Sequence, residues 1–177
     1  MTEGPIGKTY ADAGVDLDAA ASVKMTIKEI AESTLGKDVV AGPGGFGGVI
    51  DPDPAGDTLL VASADGVGTK LRIADALGQH KNIGASIVNH CINDILPSGA
   101  RPLFFLDYIG LSKFDPSKIS DIVSGIAEAC TKAGCALLGG ETATMPDIYR
   151  GNDYDLAGFI VGTVPVSYTH LTLPTKA

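Results

Sequence analysis

The stretch DGVGTK at residues 65–70 lies between the apolar run TLLVA at residues 58–62 and the sequence LRIADAL at residues 71–77. The apolar run is typical of a buried strand, and the later sequence is typical of the first turns of a helix. We therefore expect a strand-to-helix turn that carries a carboxylate, two glycines, a hydroxyl and an ammonium. Glycines let backbone N–H groups approach an anion closely, and a helix N-terminus favours phosphate.

This turn matches neither of two well-known phosphate-binding patterns. The spacing Gly-x-x-x-x-Gly-Lys is absent, and so is the dinucleotide-binding fingerprint. Asp65 could hold a divalent cation against a phosphate, because Mg²⁺ prefers carboxylate oxygens and shared phosphates. The alternative is an ordinary glycine-containing connection in which Lys70 is only solvated. The turn alone does not decide between these two interpretations.

Composition limits the class of protein. The chain has 177 residues, of which 45% are hydrophobic and 19% charged, so it can bury a core and general disorder is disfavoured. The net charge of −8 disfavours non-specific nucleic-acid binding, because such a surface repels phosphates. No stretch is long and apolar enough for a membrane span, and the first residues resemble no secretory signal. Three cysteines without metal-ligand spacing favour a reducing compartment, so we expect a cytoplasmic protein without nucleic-acid or membrane partners.

Helical and strand patterns are interspersed along the chain. They predict helices over residues 18–35, from residue 71, over 83–96 and from 116 to about 134, and strands over 58–62, 103–109, 135–138 and 155–164. Asp115 followed by Pro116 is a typical helix start, and Cys91 and Cys130 fall on apolar helical faces. The glycine-rich residues 42–48 predict no regular structure. We expect an α+β domain with a mixed β-sheet and helices packed on one face.

Four carboxylates border apolar elements: Asp65, Asp94, Asp107 and Glu141. An unpaired carboxylate beside apolar residues is costly, so a compensating cation is expected, and hard oxygen ligands suit Mg²⁺ better than Zn²⁺. The alternative is that some of them cap helices or pair with Lys70, Arg72 or Arg101, and for Asp107 this is as good an interpretation. The three histidines, His80, His90 and His170, form no recognisable catalytic triad.

Five segments occur in a fixed order: YADAGVD at 10–16, DGVGTKLR at 65–72, ND at 93–94, PLFFLDY at 102–108 and GGETA at 139–143. This series closely resembles the amino-terminal half of the phosphoribosylformylglycinamidine cyclo-ligase family, also called aminoimidazole ribonucleotide synthetases. The resemblance runs from about Tyr10 to about Val164. Five segments in order are far more specific than any one of them.

The resemblance implies an ATP-dependent ligase of purine biosynthesis. It would convert formylglycinamidine ribonucleotide to aminoimidazole ribonucleotide in the cytoplasm, as a homodimer whose sheet pairs with a second subunit. It also implies ATP and Mg²⁺ at residues of this chain. The ATP-binding residues would be Gly45, Gly47, Gly66, Gly68, Thr69, Lys70 and Asn93, and the metal ligands Asp65, Asp94 and Glu141. The glycine-rich residues 44–48 would close over the nucleotide, or would be a flexible linker.

Some features depart from the family pattern or remain unassigned. Thr144 stands where the family usually has glutamate, which would weaken a substrate or metal contact if that glutamate makes one. Catalytic residues stay unknown, as do the roles of Tyr10, Asp12 and Asp16. One alternative is a related ATP-dependent enzyme, namely the glutamine-dependent synthetase of the preceding step, selenophosphate synthetase or thiamine-monophosphate kinase. Another is a non-catalytic nucleotide-binding dimerisation module, and a third is a misfolded fragment.

The last twelve residues break the family pattern abruptly. Residues 166–177, VSYTHLTLPTKA, resemble the translation of a sequencing adapter, although a genuine β-prone tail is the alternative. We expect an amino-terminal ATP-binding and dimerisation domain over residues 1–165 and a non-native tail after it. The carboxy-terminal domain of the family would then be absent, and this fragment alone would be inactive.

Overall fold

The computed structural model describes residues 17–168. They form one six-stranded sheet with strand order β1-β2-β3-β6-β4-β5, in which β4 and β5 are parallel and all other neighbours antiparallel. The strands are β1 (Val39–Ala41), β2 (Gly48–Ile50), β3 (Thr58–Gly66), β4 (Arg101–Leu111), β5 (Ala136–Thr144) and β6 (Tyr154–Pro165). The helices are α1 (Leu17–Glu32), α2 (Lys70–Leu77), α3 (His80–Ile95) and α4 (Pro116–Ala133).

Helices α3 and α4 pack against each other and against the same face of the sheet. Their backbones cross closely at two glycines, because a Cβ on Gly84 would collide with the carbonyl oxygen of Ile122 and a Cβ on Gly125 with that of Lys81. The parallel strands β4 and β5 are joined through α4, which is the crossover that a parallel pair requires. The sheet and these two helices therefore enclose one core.

The core lies between the sheet and the two helices. Its largest fully buried side chains include Phe105 and Ile109 from β4, Leu156 and Ile160 from β6, and Ile87, Ile95, Ile122 and Ile126 from the helices. Burying each such side chain stabilises the fold by about 1.5–3 kcal/mol. Cys91 and Cys130 are buried here too, as the apolar helical pattern predicts.

The predicted α+β class with a mixed sheet is confirmed, and so are its main elements. Helix α4 begins as predicted, since the Asp115 carboxylate accepts hydrogen bonds from the backbone N–H groups of Ser117 and Lys118. The boundaries differ: β3 continues four residues beyond the predicted end, and α3 begins three residues before the predicted start. The largest correction concerns β5, which continues through Gly139, Gly140 and Glu141 to Thr144, whereas the strand was predicted to end at residue 138.

The glycine-rich segment has no regular structure over residues 42–47, as predicted, apart from an isolated bridge between Pro43 and Gly45. The flanking residues 39–41 and 48–50 form the short antiparallel strands β1 and β2, which were not predicted. Strand β2 pairs with β3, and this pairing satisfies backbone groups that the local composition leaves unpaired. The residues after β2 form a turn, in which the Asp53 carboxylate accepts a hydrogen bond from the N–H of Ala55.

Two regions remain without cover in the described part of the chain. The apolar face of α1, with Val23, Ile27 and Ile30, is more than half exposed. The sheet face opposite the helices exposes Leu138 and Phe159. Within residues 17–168 no helix combines the length and the apolar character needed to cross a membrane. Tyr10, Asp12, Asp16, His170 and most of the predicted tail lie outside the described residues.

Candidate functional site

The predicted strand-to-helix turn is present but shorter than predicted, because β3 includes Asp65 and Gly66 and α2 begins at Lys70. Gly68 has φ +73°, a left-handed conformation that glycine adopts without steric cost, and no atom of residues 17–168 lies within 4 Å of the position that a Cβ would take there. The N–H of Val67 donates to the carbonyl oxygen of Leu156 on β6, which holds the turn against the sheet. Thr69 is the N-cap of α2, but its hydroxyl makes no capping hydrogen bond. The Thr69 hydroxyl is therefore not used to cap α2.

Lys70 does not extend freely into solvent. Its Nζ donates to Ser86 Oγ at 3.0 Å and lies 2.9 Å from His90 Nε2. On the other side of the imidazole, His90 Nδ1 lies 3.7 Å from Asp65 Oδ2. The Asp65 carboxylate also accepts a hydrogen bond from the N–H of Gly66 through Oδ1, at 2.7 Å. Asp65 and Lys70, the two charged residues on either side of the turn, therefore both lie beside His90 of α3.

Asp94 is connected to the glycine-rich segment. Ser63 Oγ lies 2.8 Å from Asp94 Oδ2 and 2.9 Å from the carbonyl oxygen of Phe46. Gly47 packs closely on β3, because a Cβ there would approach the carbonyl oxygen of Ala62 to 3.2 Å. The segment that contains Gly45 and Gly47 is therefore anchored to β3, the strand that carries Asp65.

Asp65 and Asp94 both lie near the buried Cys91 thiol. Burial raises the pKa of Cys91 to about 12, and the charges of Asp65 and Asp94 also act to raise it. A thiol in this state is protonated at neutral pH and does not act as a nucleophile. Cys91 is therefore a core residue close to two carboxylates, as its position on an apolar helical face predicts.

Glu141 lies apart from these two carboxylates. Across the sheet, Asp65 pairs with Gly158, Gly158 with Asp107, and Asp107 with Gly140, so these four residues share the helix-facing side. Glu141 follows Gly140 along β5 and points to the opposite face. Three strand spacings separate β3 from β5, which is about 14 Å. Within the part of the chain that the structure describes, no three His, Cys, Asp or Glu side chains could hold one metal ion.

The remaining predicted residues fall in different surroundings. Asn93 is exposed on α3 beside Asp94. Asp107 lies part-buried under α4, and burial raises the pKa of its carboxyl group to about 6. Thr144 is the last residue of β5, at the end of the sheet edge. The predicted roles of these residues stay predictions.

Two hollows flank β3 at this end of the sheet. One, of about 580 Å³, is lined by Gly68, Thr69, Arg72 and residues 149–155. The other, of about 500 Å³, lies over the glycine-rich segment and is lined by Gly45, Phe46 and Gly47 together with residues 62–64 of β3. The two predicted glycine segments thus each border a hollow large enough for part of a small-molecule ligand.

Sequence reasoning missed Ser63, Ser86 and His90 as members of this group. A signal was present, because Ser86, His90 and Asp94 are spaced four residues apart and so lie on one face of the predicted helix. Ser63 and Asp65 are two residues apart on a strand and therefore share a face. What the sequence could not supply was the contact between that helix face and that strand.

The fold and the site together define a class: an α+β domain with a mixed sheet and a glycine-containing, acid-and-lysine turn at the end of a strand. Residues 44–164 match the family described as AIR synthase related protein, N-terminal domain. The chain belongs to this family.

Curated relatives agree with this assignment. The chain is 48% identical over 161 residues to the phosphoribosylformylglycinamidine cyclo-ligase of Finegoldia magna, covering 90% of this chain and 47% of that protein. It is 53% identical over 160 residues to the cyclo-ligase of Pseudothermotoga lettingae, covering 90% and 48%. The chain therefore spans about half the length of the curated relatives it matches.

Solved structures share the fold at low sequence identity. AaThiL complexed with AMPPCP and TMP has a TM-score of 0.65 at 16% identity, covering 85% of this chain and 44% of that chain. PurL of Thermotoga maritima complexed with ATP has a TM-score of 0.57 at 19% identity, covering 80% and 24%. At these identities the likeness supports the α+β architecture and nothing finer.

Proposed function

We propose that this chain is the ATP-binding half of a phosphoribosylformylglycinamidine cyclo-ligase. The complete protein would close the imidazole ring of aminoimidazole ribonucleotide from formylglycinamidine ribonucleotide, with release of ADP and phosphate. The observation that carries the proposal is the Asp65–Lys70 turn close to Asp94, in a chain whose sequence is 48% and 53% identical to two curated cyclo-ligases over the aligned residues. The ATP complex of a protein with the same fold supports the choice of nucleotide.

The donor set suits magnesium. Asp65 and Asp94 offer hard carboxylate oxygens close to Cys91, and Mg²⁺ is commonly held by one or two carboxylates together with phosphate oxygens. We assign these two residues as the metal ligands of one chain. Glu141 can join them only from a second chain, because its own side chain points to the opposite face of the sheet.

ATP would supply the phosphoryl group that activates the formyl oxygen, so that a nitrogen of the substrate can attack the same carbon and expel phosphate. Such a reaction requires positioning and charge neutralisation more than a protein nucleophile. Lys70 would neutralise phosphate charge beside the turn, and the N–H groups of Gly68 and Thr69 would bind phosphate oxygens. Gly66, whose own N–H donates to Asp65 Oδ1, would let the phosphate approach the backbone closely. Gly45 and Gly47 would let the glycine-rich segment lie close to the nucleotide.

The remaining parts of the proposal concern assembly and location. The uncovered sheet face, with Leu138 and Phe159, would pair with a second subunit, since large exposed apolar side chains favour an interface. The three free cysteines agree with a reducing cytoplasm. The net charge of −8 opposes a nucleic-acid partner. Sedimentation velocity would test the homodimer, and a strictly monomeric chain would contradict it for this half.

A second candidate function is a non-catalytic module, which would bind nucleotide at the same Asp65–Lys70 turn without turnover. An assay for aminoimidazole ribonucleotide formation on this chain separates the two: turnover would contradict the module. Binding without turnover would agree with a catalytic group in the other half.

The nucleotide site itself is tested by calorimetric titration with ATP and Mg²⁺. Asp65→Asn and Asp94→Asn should each weaken MgATP binding roughly tenfold or more, because each removes a charged metal ligand. Asp57→Asn is the matched control, since Asp57 is an exposed carboxylate just before the opposite end of β3. Equal affinity of all three variants and the unmodified chain would refute the assigned site.

A further inference from the structure

The Lys70 ammonium is held by two neutral side chains one helical turn apart on α3. Ser86 Oγ accepts a hydrogen bond at 3.0 Å, and His90 Nε2 lies 2.9 Å away. A neutral acceptor fixes the position of a cation without cancelling its charge, whereas a carboxylate in the same place would neutralise it. Lys70 is therefore restrained and still able to attract an anion.

The contact also determines the tautomer of His90. An ammonium group has three donors and no acceptor, so Nε2 must offer its lone pair to Lys70 and the ring proton must be on Nδ1. In the described residues Nδ1 is buried and has no hydrogen-bond partner. It faces the Asp65 carboxylate, with Oδ2 at 3.7 Å. The negative charge of Asp65 favours an N–H rather than a lone pair on that side of the ring.

We propose that His90 is a positioning residue: as the Nδ1-protonated tautomer, it holds the Lys70 ammonium beside the Asp65–Lys70 turn, ready for a nucleotide phosphate. The part of this proposal that concerns phosphate rests on the proposed function. Lysine has a long side chain that loses much of its rotamer freedom when it is fixed. Contacts made before the ligand arrives reduce the entropy that binding must then overcome.

The first test reads the tautomer directly. Nitrogen-15 NMR of the imidazole rings in the full 177-residue chain should show a protonated Nδ1 and an unprotonated Nε2 for His90 at neutral pH. Lys70→Met should lower the population of that tautomer, because it removes the ammonium that donates to Nε2. His80, whose Nδ1 lies 3.2 Å from the Tyr154 hydroxyl, provides an internal reference that should not change. A protonated Nε2 in the unmodified chain would overturn the proposal.

The second test measures MgATP affinity by calorimetry. His90→Leu should weaken binding roughly tenfold, as expected for a residue that orients a directly binding group. His90→Gln keeps an acceptor and should restore affinity to within about threefold of the unmodified chain. His80→Gln, a change in another histidine of the same helix, should have no effect, and thermal unfolding would show that each variant is folded.

The outcomes separate the two proposals. Unchanged MgATP affinity in His90→Leu, or a His90→Gln variant as weak as His90→Leu, would overturn the positioning role while the nucleotide site stands. An unmodified chain that binds no MgATP would overturn the proposed function and with it the phosphate role of Lys70. In that case the NMR measurement would still decide whether His90 holds Lys70.

Discussion

Asp107 offers a stability prediction that can be worked out from its surroundings. Its carboxylate lies under α4 and over Gly140, where a Cβ would collide with it, and burial raises its pKa from 3.8 to about 6. That difference corresponds to about 3 kcal/mol if the group were fully shielded from water. Asp107 is only part-buried, and solvent screening reduces the penalty to about 1–2 kcal/mol. Asp107→Asn should therefore stabilise the fold by about that amount at neutral pH.

The sign of this effect depends on pH. Below the unfolded pKa of 3.8 the group is protonated in both states, so the charge costs nothing. As the pH rises from there to about 6, the unfolded chain ionises while the folded chain retains its proton, and the folded state loses stability. The full penalty is present above about pH 6. The gain from Asp107→Asn should consequently be near zero at about pH 4 and largest above about pH 7.

Urea unfolding followed by circular dichroism, at about pH 4 and about pH 7.5, measures this difference. Asp121→Asn is the matched control, because Asp121 is an exposed carboxylate on α4 itself. A gain of equal size at both pH values would mean that the amide improves packing rather than removing a buried charge. No gain at the higher pH would refute the reasoning altogether.

Two further predictions concern the core. Gly125→Ala should lower the free energy of unfolding by about 2 kcal/mol or more, because its Cβ would collide with the backbone of Lys81. Gly151→Ala should lower it by only about 1 kcal/mol, because Gly151 has φ +60° but no described atom within 4 Å of the Cβ position. Urea unfolding compares them, and equal losses would contradict the close helix crossing. Cys91, buried and with its pKa raised to about 12, should resist maleimide in the folded chain, while the less buried Cys135 reacts first. Mass spectrometry of a labelling time course measures the order in which the cysteines react. Modification of Cys91 before Cys135 would contradict this prediction.

Much of the site is accessible from local sequence. The turn at residues 65–70 follows from an apolar run, two glycines and a helix start, which are all properties of neighbouring residues. The Asp115 cap and the buried faces of α3 and α4 follow from the same local chemistry. The positions of Asp65, Asp94 and Lys70 around one strand end were expected from a resemblance, and the structure brings these three into one region.

Other features required pairing over long distances in sequence. Strand β6 lies between β3 and β4, so that Asp65 and Asp107 share a row across Gly158. No local period specifies which strands become neighbours. The glycine-rich segment shows the same limitation, since its flanking residues become strands only because β3 is beside them.

The sequence by itself determined the main helices and strands and the chemical character of the turn, because helix and strand periods, caps and glycine conformations act over a few residues. Tertiary structure alone decided which side chains meet. Glu141 turns away from Asp65 because side chains alternate along a strand, so the register of β5 selects its face. Lys70 meets His90 because α3 packs beside the end of β3, a contact between residues twenty positions apart.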